Sequence, residues 1–138
     1  MAKQFTLGKR ERLKSRKQIE LLFAQGRSFN LPPFRIYYHF SKAADPVPVK
    51  PLQMGVGVSH RQFRNAVDRN RVKRLIRENF RTRKTVLEAA LLYKKERGLV
   101  FFIFTGKELP EFEWIAEKME KAIQKLAGMI HESNTSNT

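Results

Sequence analysis

Cysteine is absent from the 138-residue sequence, and histidine occurs only three times. Without thiols the chain can form neither a disulfide nor a thiolate metal site, and His39, His60 and His131 are too widely spaced to indicate a shared metal ion. The longest apolar run is residues 99–104, far short of the about 20 residues that a membrane-spanning helix needs. The composition therefore argues against disulfide scaffolds, cysteine-ligated zinc modules and integral membrane proteins.

Carboxylates are also scarce, because 13 Asp and Glu stand against 28 Lys and Arg and leave a formal net charge of +15 at pH 7. The excess lies in two blocks: residues 61–84 carry +8 and residues 1–27 carry +6. Such concentrated positive charge is typical of proteins that displace the counterions of a nucleic acid. No set of residues forms a plausible nucleophile and base, a phosphate-cradling glycine loop or a carboxylate metal site, so we expect no active site in the chain itself.

The N-terminus is basic but lacks the apolar centre of a signal peptide, so we expect a soluble, cytoplasmic protein that needs no membrane. Eleven Phe and 41% hydrophobic residues are sufficient for one core. We therefore expect a single RNA-binding domain over residues 1–132 and a disordered polar tail over residues 133–138.

Hydrophobic periodicity predicts three helices and three strands. The predicted helices cover residues 15–25, 66–81 and 110–130. The predicted strands cover residues 34–40, 53–59 and 99–104. Residues 86–91 indicate either a continuation of the second helix or a short separate helix.

This order, α-β-β-α-β-α, predicts a small α/β sandwich. The proline-rich segment 41–51 is expected to join two adjacent antiparallel strands, and the strand-helix-strand unit over residues 53–105 is expected to bring two parallel strands together. The strand over residues 99–104 is apolar on both faces and should be central.

The helix over residues 66–81 combines an apolar stripe with a cationic surface. Asn65 is a candidate N-cap, and Asp68 lies in the first turn, where it meets the positive end of the helix dipole. The apolar stripe consists of Val72, Leu75, Ile76 and Phe80. The polar line opposite consists of Asn70, Arg74, Arg77 and Arg81, flanked by Arg69, Arg71 and Lys73. A solvated face with internal ion pairs is the alternative, but only two acids are near, and guanidinium groups suit phosphate recognition.

A second candidate surface is the face of the first strand that carries Arg35, Tyr37 and His39. These residue types suit single-stranded nucleotides, although Tyr37 packing beneath the first helix is an equal alternative. The periodicity favours Phe23 as a core residue. On the next strand Gly55 and Gly57 share a face, which permits a close approach to the backbone.

The block Gly57-Val58-Ser59 followed by residues 65–81, with its Arg-Asn-Arg core at 69–71, resembles the bacterial ribonuclease P protein family. A looser resemblance extends from Arg12 to Ile130. In two places the chain departs from the family: His60-Arg61 stands where many members have a Lys pair, and Ile19 stands where an aromatic is frequent.

The resemblance implies a left-handed strand-helix-strand crossover, against the usual right-handed rule. It implies that the partners are ribonuclease P RNA, which holds the catalytic centre, and precursor tRNA, whose 5′ leader is removed, with Mg²⁺ bound by the RNA, no cofactor in the protein and no protein partner. The residues it assigns to the catalytic RNA are Arg61, Arg64, Arg69, Asn70, Arg71, Lys73, Arg74, Arg77 and Arg81. It places Phe23, Arg35 and Tyr37 in a cleft for the leader. A ribosomal or assembly factor and a major-groove DNA-binding module are the alternatives, and a protein-only nuclease is disfavoured.

Overall fold

The computed structural model describes residues 11–43 and 50–132 of the chain. Within these ranges the helices are α1 (Arg16–Gln25), α2 (Ala66–Arg81), α3 (Thr85–Lys94) and α4 (Phe112–Glu132). The strands are β1 (Arg27–Leu31), β2 (Phe34–Lys42), β3 (Leu52–Val58) and β4 (Glu96–Phe104). The predicted tail over residues 133–138 and the prolines at 46 and 48 lie outside the described residues.

The strands form one sheet in the order β1-β2-β4-β3. Strand β4 is central, as its apolar sequence predicts, and it pairs antiparallel with β2 and parallel with β3. The parallel pairing of β3 and β4 is thereby confirmed, and the left-handed connection between them stays a prediction from the resemblance. The expectation that residues 41–51 join adjacent strands is wrong, because β4 lies between β2 and β3 and uses both of its edges for them.

Two elements add to the predicted order. Strand β1 pairs antiparallel with β2 across a tight turn at Pro32 and Pro33. Its five residues include only two large apolar side chains, Phe29 and Leu31, which is too short a pattern to identify from periodicity. Helix α3 is a separate helix, which decides the alternative left open for residues 86–91.

One face of the sheet packs against α2, α3 and α4 and forms the main core. From α2 the core takes Val72, Ile76 and Phe80, and from α4 it takes Ile115, Met119, Ala122, Ile123 and Leu126, all as predicted. Leu75 is only half-buried, whereas Asn79 is fully buried. The Asn79 side chain satisfies its amide there, since Nδ2 donates to Leu75 O at 2.9 Å and Oδ1 accepts from Arg83 Nη1 at 3.1 Å.

The opposite face of the sheet is covered mainly by α1. The Ser15 side chain accepts from Gln18 N at 3.4 Å, so the predicted capping interaction begins this helix. Leu22 packs with Leu13 and Leu99 into a small second cluster, with Tyr37 and Phe101 at its margin. Because α1 is only ten residues long, much of this face stays open to solvent.

The segment before α1 lies along the outer edge of β3. Arg12 forms a parallel bridge with Met54, and Leu13 N donates to Met54 O at 2.8 Å. The Glu11 carboxylate is buried in an ion pair with the fully buried Lys84 ammonium, and Lys50 Nζ lies 3.8 Å from the other Glu11 oxygen. These contacts fix residues 11–13 to the body of the protein.

Candidate nucleic-acid interface

Helix α2 begins at the loop that follows β3. Asn65 Oδ1 accepts from Val67 N at 2.9 Å, so Asn65 is the predicted N-cap, and Asp68 lies in the first turn. The loop is itself ordered by Ser59, whose hydroxyl accepts from Arg61 N at 3.1 Å and whose carbonyl accepts from Phe63 N at 3.1 Å. The loop therefore presents His60 and Arg61 to solvent beside the start of the helix.

The candidate RNA-binding residues of this region differ in exposure. The exposed ones are Arg61, Arg64, Asn70, Arg71 and Arg74. The half-buried ones are Arg69, Lys73, Arg77 and Arg81. Across the described parts of the chain, none of the four exposed arginines forms an ion pair with a carboxylate. The loop and the outer side of α2 thus carry a cationic surface, which we call the α2 surface, with its charge available to a polyanion.

Arg69 and Arg81 differ from the others because each has partners within the protein. Arg69 Nη1 donates to Phe63 O at 2.7 Å and to Arg64 O at 2.9 Å, so this guanidinium fastens the loop to α2. Arg81 is paired with Glu78, one turn earlier on the helix, and its Nε donates to Glu78 Oε2 at 3.2 Å. The hydrogen bond from Arg81 lowers the pKa of Glu78, although burial acts in the opposite direction. The charge of Arg81 is partly neutralised before any ligand binds.

The second candidate surface is the open face of the sheet beside α1, which we call the open face. Phe23 is 43% exposed, so the expectation that it belongs to the core is wrong. Its ring meets Tyr37 edge-on with centroids 4.7 Å apart, and it meets Phe101 in the same manner at 5.3 Å. Helix α1 brings Phe23 to these strand residues, so the three rings form one partly exposed aromatic surface.

Arg35 is the polar centre of the open face. Its Nε donates to the Tyr37 hydroxyl at 3.0 Å, its Nη1 to Asn30 Oδ1 at 3.1 Å and its Nη2 to Ser28 Oγ at 3.4 Å. The guanidinium carbon lies 5.4 Å from the centre of the Tyr37 ring. Because all of these partners are neutral, Arg35 is held in position with its full positive charge.

Sequence reasoning missed several residues of this face. Ser28 and Asn30 were missed because β1 was not predicted. Phe101 was missed because it lies in an apolar run with no polar residue to show which side faces the core. Parity supplies that signal, since Phe101 is in register with Tyr37 on β2 and Gly55 on β3.

The glycine face of β3 is explained by Phe101. A Cβ atom on Gly55 would lie 2.6 Å from Phe101 Cδ2, and one on Gly57 would lie 3.0 Å from Phe101 Cε1. The close approach predicted from these glycines is therefore made by a ring of the protein itself. The ring in turn supports Phe23, so the glycines help to place the aromatic surface.

The model of the family described as Ribonuclease P matches residues 7–127 of the chain. The chain belongs to the ribonuclease P protein family. The chain is 35% identical over 133 residues to the ribonuclease P protein component of Porphyromonas gingivalis strain W83, covering 96% of this chain and 95% of that protein. It is 33% identical over 118 residues to the ribonuclease P protein component of Bacillus pumilus, covering 86% of each chain.

Solved structures of ribonuclease P proteins share the fold. The protein from Thermotoga maritima superposes with a TM-score of 0.62 at 25% identity, covering 83% of this chain and 96% of that chain. The Staphylococcus aureus protein superposes with a TM-score of 0.60 at 22% identity, covering 85% of this chain and 94% of that chain. Their agreement confirms the predicted fold class.

Family membership confirms the function that the resemblance implied. The chain is the protein component of ribonuclease P, a ribonucleoprotein endoribonuclease of tRNA 5′ maturation, and it acts with the ribonuclease P RNA. The catalytic RNA is a separate molecule. Among residues 11–43 and 50–132 no three His, Asp or Glu side chains are grouped as a metal site, and no helix is long and apolar enough to cross a membrane.

Proposed function

We propose that the two surfaces bind two different RNAs, with the α2 surface docking on the ribonuclease P RNA and the open face holding the 5′ leader of precursor tRNA. The observation that carries the proposal is the set of exposed arginines Arg61, Arg64, Arg71 and Arg74, which have no ion-pair partner among the described residues. Asn70, Lys73 and Arg77 extend this surface, whereas Arg69 and Arg81 act first on the loop and on Glu78.

The open face suits a single strand better than a duplex. Exposed aromatic rings stack with bases at about 1–3 kcal/mol each, whatever the base. Phe23 and Tyr37 supply the rings, and Arg35 supplies a charge for the backbone phosphate. A leader is unpaired in precursor tRNA, so its bases are free to stack in this way.

The two surfaces lie on opposite faces of the sheet and flank its β3 edge. Helix α2 packs on the core face through Val72 and Ile76, whereas Phe23 and Tyr37 lie on the other face. The protein thus bridges two polyanions and lowers their mutual repulsion with fixed positive charge. Mg²⁺ is bound by the RNA in this scheme and supplies the chemistry of phosphodiester hydrolysis, in the cytoplasm.

Reconstitution tests the proposal. The purified protein is mixed with a bacterial ribonuclease P RNA and precursor tRNA at low Mg²⁺, and leader removal is measured. Arg74→Ala is expected to weaken binding to the ribonuclease P RNA and to reduce the slope of log K against log salt by about one phosphate contact. Tyr37→Ala is expected to raise the KM for precursor tRNA and to leave the affinity for the RNA subunit unchanged.

The controls separate the two surfaces and the two nucleic acids. Mature tRNA lacks the leader, so its affinity for the holoenzyme should not respond to Tyr37→Ala. Duplex DNA should compete poorly with the ribonuclease P RNA. Equal competition by duplex DNA, or an Arg74→Ala protein with unchanged RNA affinity and salt slope, would contradict the assignment of the α2 surface.

A further inference from the structure

Arg77 is an unusual member of the α2 surface because it is half-buried and has no acidic partner. Its guanidinium forms no ion pair with any carboxylate of residues 11–43 or 50–132. Burial lowers the pKa of Arg77, and the positive charge of Arg12 lowers it further. The free protein therefore holds two like charges near each other with nothing between them to neutralise either.

Arg12 reaches this position through the edge of the sheet. Its backbone is bridged to Met54 of β3, and β3 packs against α2 on the core side. The side chain of Arg12 is exposed and also lacks an ion pair within the described ranges. The neighbouring residue, Glu11, is buried against Lys84, so the backbone at Arg12 is anchored and cannot easily withdraw to relieve the repulsion.

We propose that Arg12 and Arg77 form a phosphate site that grips a single backbone phosphate of the ribonuclease P RNA between two guanidinium groups. The inference rests on the proposed docking of the α2 surface and extends it to a residue outside the helix. A guanidinium donates two parallel hydrogen bonds to a phosphate, so two of them satisfy three or four acceptor positions of one phosphodiester. A phosphate between them also converts their repulsion into two attractions.

The site lies where the two proposed RNA surfaces approach each other. Segment 11–13 follows the outer edge of β3, with the α2 surface on one side of the sheet and the open face on the other. A phosphate held at this edge fixes the ribonuclease P RNA next to the leader cleft. Arg12 therefore sets the position of one RNA relative to the other as well as adding affinity.

The test is a double-mutant cycle on binding to a bacterial ribonuclease P RNA over a series of salt concentrations. Arg12→Ala and Arg77→Ala are each expected to weaken binding about tenfold, the loss typical of a charge-assisted hydrogen bond. Because both act on one phosphate, the double variant should be only about twofold weaker than Arg77→Ala alone. The matched control is Arg74→Ala, whose effect should multiply with that of Arg12→Ala.

Thermal stability provides a readout without RNA. At low salt Arg12→Ala should be at least as stable as the unmodified protein, because it removes a repulsion, and added inorganic phosphate should raise its Tm less. A purely structural role for Arg12 predicts the opposite, a lower Tm with an unchanged response to phosphate. Arg12→Lys keeps the charge but loses the bidentate geometry, and it should recover only part of the RNA affinity.

The outcomes distinguish this inference from the proposed function. Weaker binding by Arg74→Ala together with normal binding by Arg12→Ala overturns the phosphate site and leaves the α2 surface in place. Losses that multiply between Arg12→Ala and Arg77→Ala show two separate phosphates and also overturn it. Unchanged binding in the Arg74→Ala and Arg77→Ala variants would refute the docking of α2 itself.

Discussion

Replacement of Gly55 by Ala tests how the aromatic surface is supported. The added Cβ would lie 2.6 Å from Phe101 Cδ2, 2.7 Å from Phe101 Cε2 and 3.2 Å from Leu13 O. Carbon atoms in good contact are about 3.5–4.0 Å apart, so the ring must move by about 1 Å. Neither the backbone of Leu13 nor the paired strands can give way easily.

The expected cost follows from overpacking. Such strain destabilises a core by about 1–3 kcal/mol, and the lower entropy of an unfolded Ala returns about 0.4–1 kcal/mol of that loss. The net loss of about 1–2 kcal/mol corresponds to a fall in Tm of about 3–10 °C for a domain of this size. Urea denaturation followed by circular dichroism measures the first quantity, and a thermal scan measures the second.

Gly128→Ala is the matched control, because the same methyl group is added where nothing lies within 4 Å. Gly128 is in α4, so Ala there should stabilise the protein by about 0.5–1 kcal/mol. Adding Phe101→Leu to Gly55→Ala should cost less than the sum of the two single changes, since the smaller side chain leaves room for the methyl group. A Gly55→Ala protein as stable as Gly128→Ala, or strict additivity with Phe101→Leu, would refute the reasoning.

Three further changes probe the anchor of the N-terminal segment and the open face. Lys84→Ala leaves the buried carboxylate of Glu11 without its ammonium and should destabilise the fold by about 3–5 kcal/mol in urea titrations, and an unchanged midpoint would contradict this. Burial raises the pKa of Glu88 above its ordinary 4.5, although Lys84 opposes the shift, so the native state binds the proton more tightly and loses stability as pH rises through that range. Glu88→Gln should therefore raise the Tm at pH 7, and this gain should shrink as pH falls below about 5. Phe23→Ala, at an exposed position, should change Tm little but weaken leader-dependent binding of precursor tRNA, whereas a large loss of stability would return Phe23 to the core.

Periodicity predicted the elements that bury a clear apolar pattern. The α4 side chains from Ile115 to Leu126 repeat at helical spacing, and all of the predicted inner residues are buried. The run at 99–104 is apolar on both faces, which only a central strand satisfies, and β4 is central. In both cases local sequence and burial agree.

The remaining features depend on contacts distant in the chain. Pairing of β4 between β2 and β3 cannot be inferred from β2 or β3, because either strand has an edge that would accept the other. The half-exposed position of Phe23 depends on the short α1 leaving space beside Phe101. The cationic character of α2 was plain from composition, but the partners of Arg69 are loop carbonyls, and no sequence pattern specifies those.

The central place of β4 has a consequence for the order in which the protein can fold during synthesis. Phe34 of β2 pairs with Phe104, and Val58 of β3 pairs with the same residue. Neither ladder can form until the ribosome has released residue 104, so β3 waits through the synthesis of α2 and α3. Pairings of such long sequence separation fold slowly and leave strand edges exposed to aggregation. Over that interval the arginines of residues 61–84 have already emerged, and bound RNA would shield the nascent chain by keeping its charged segments apart.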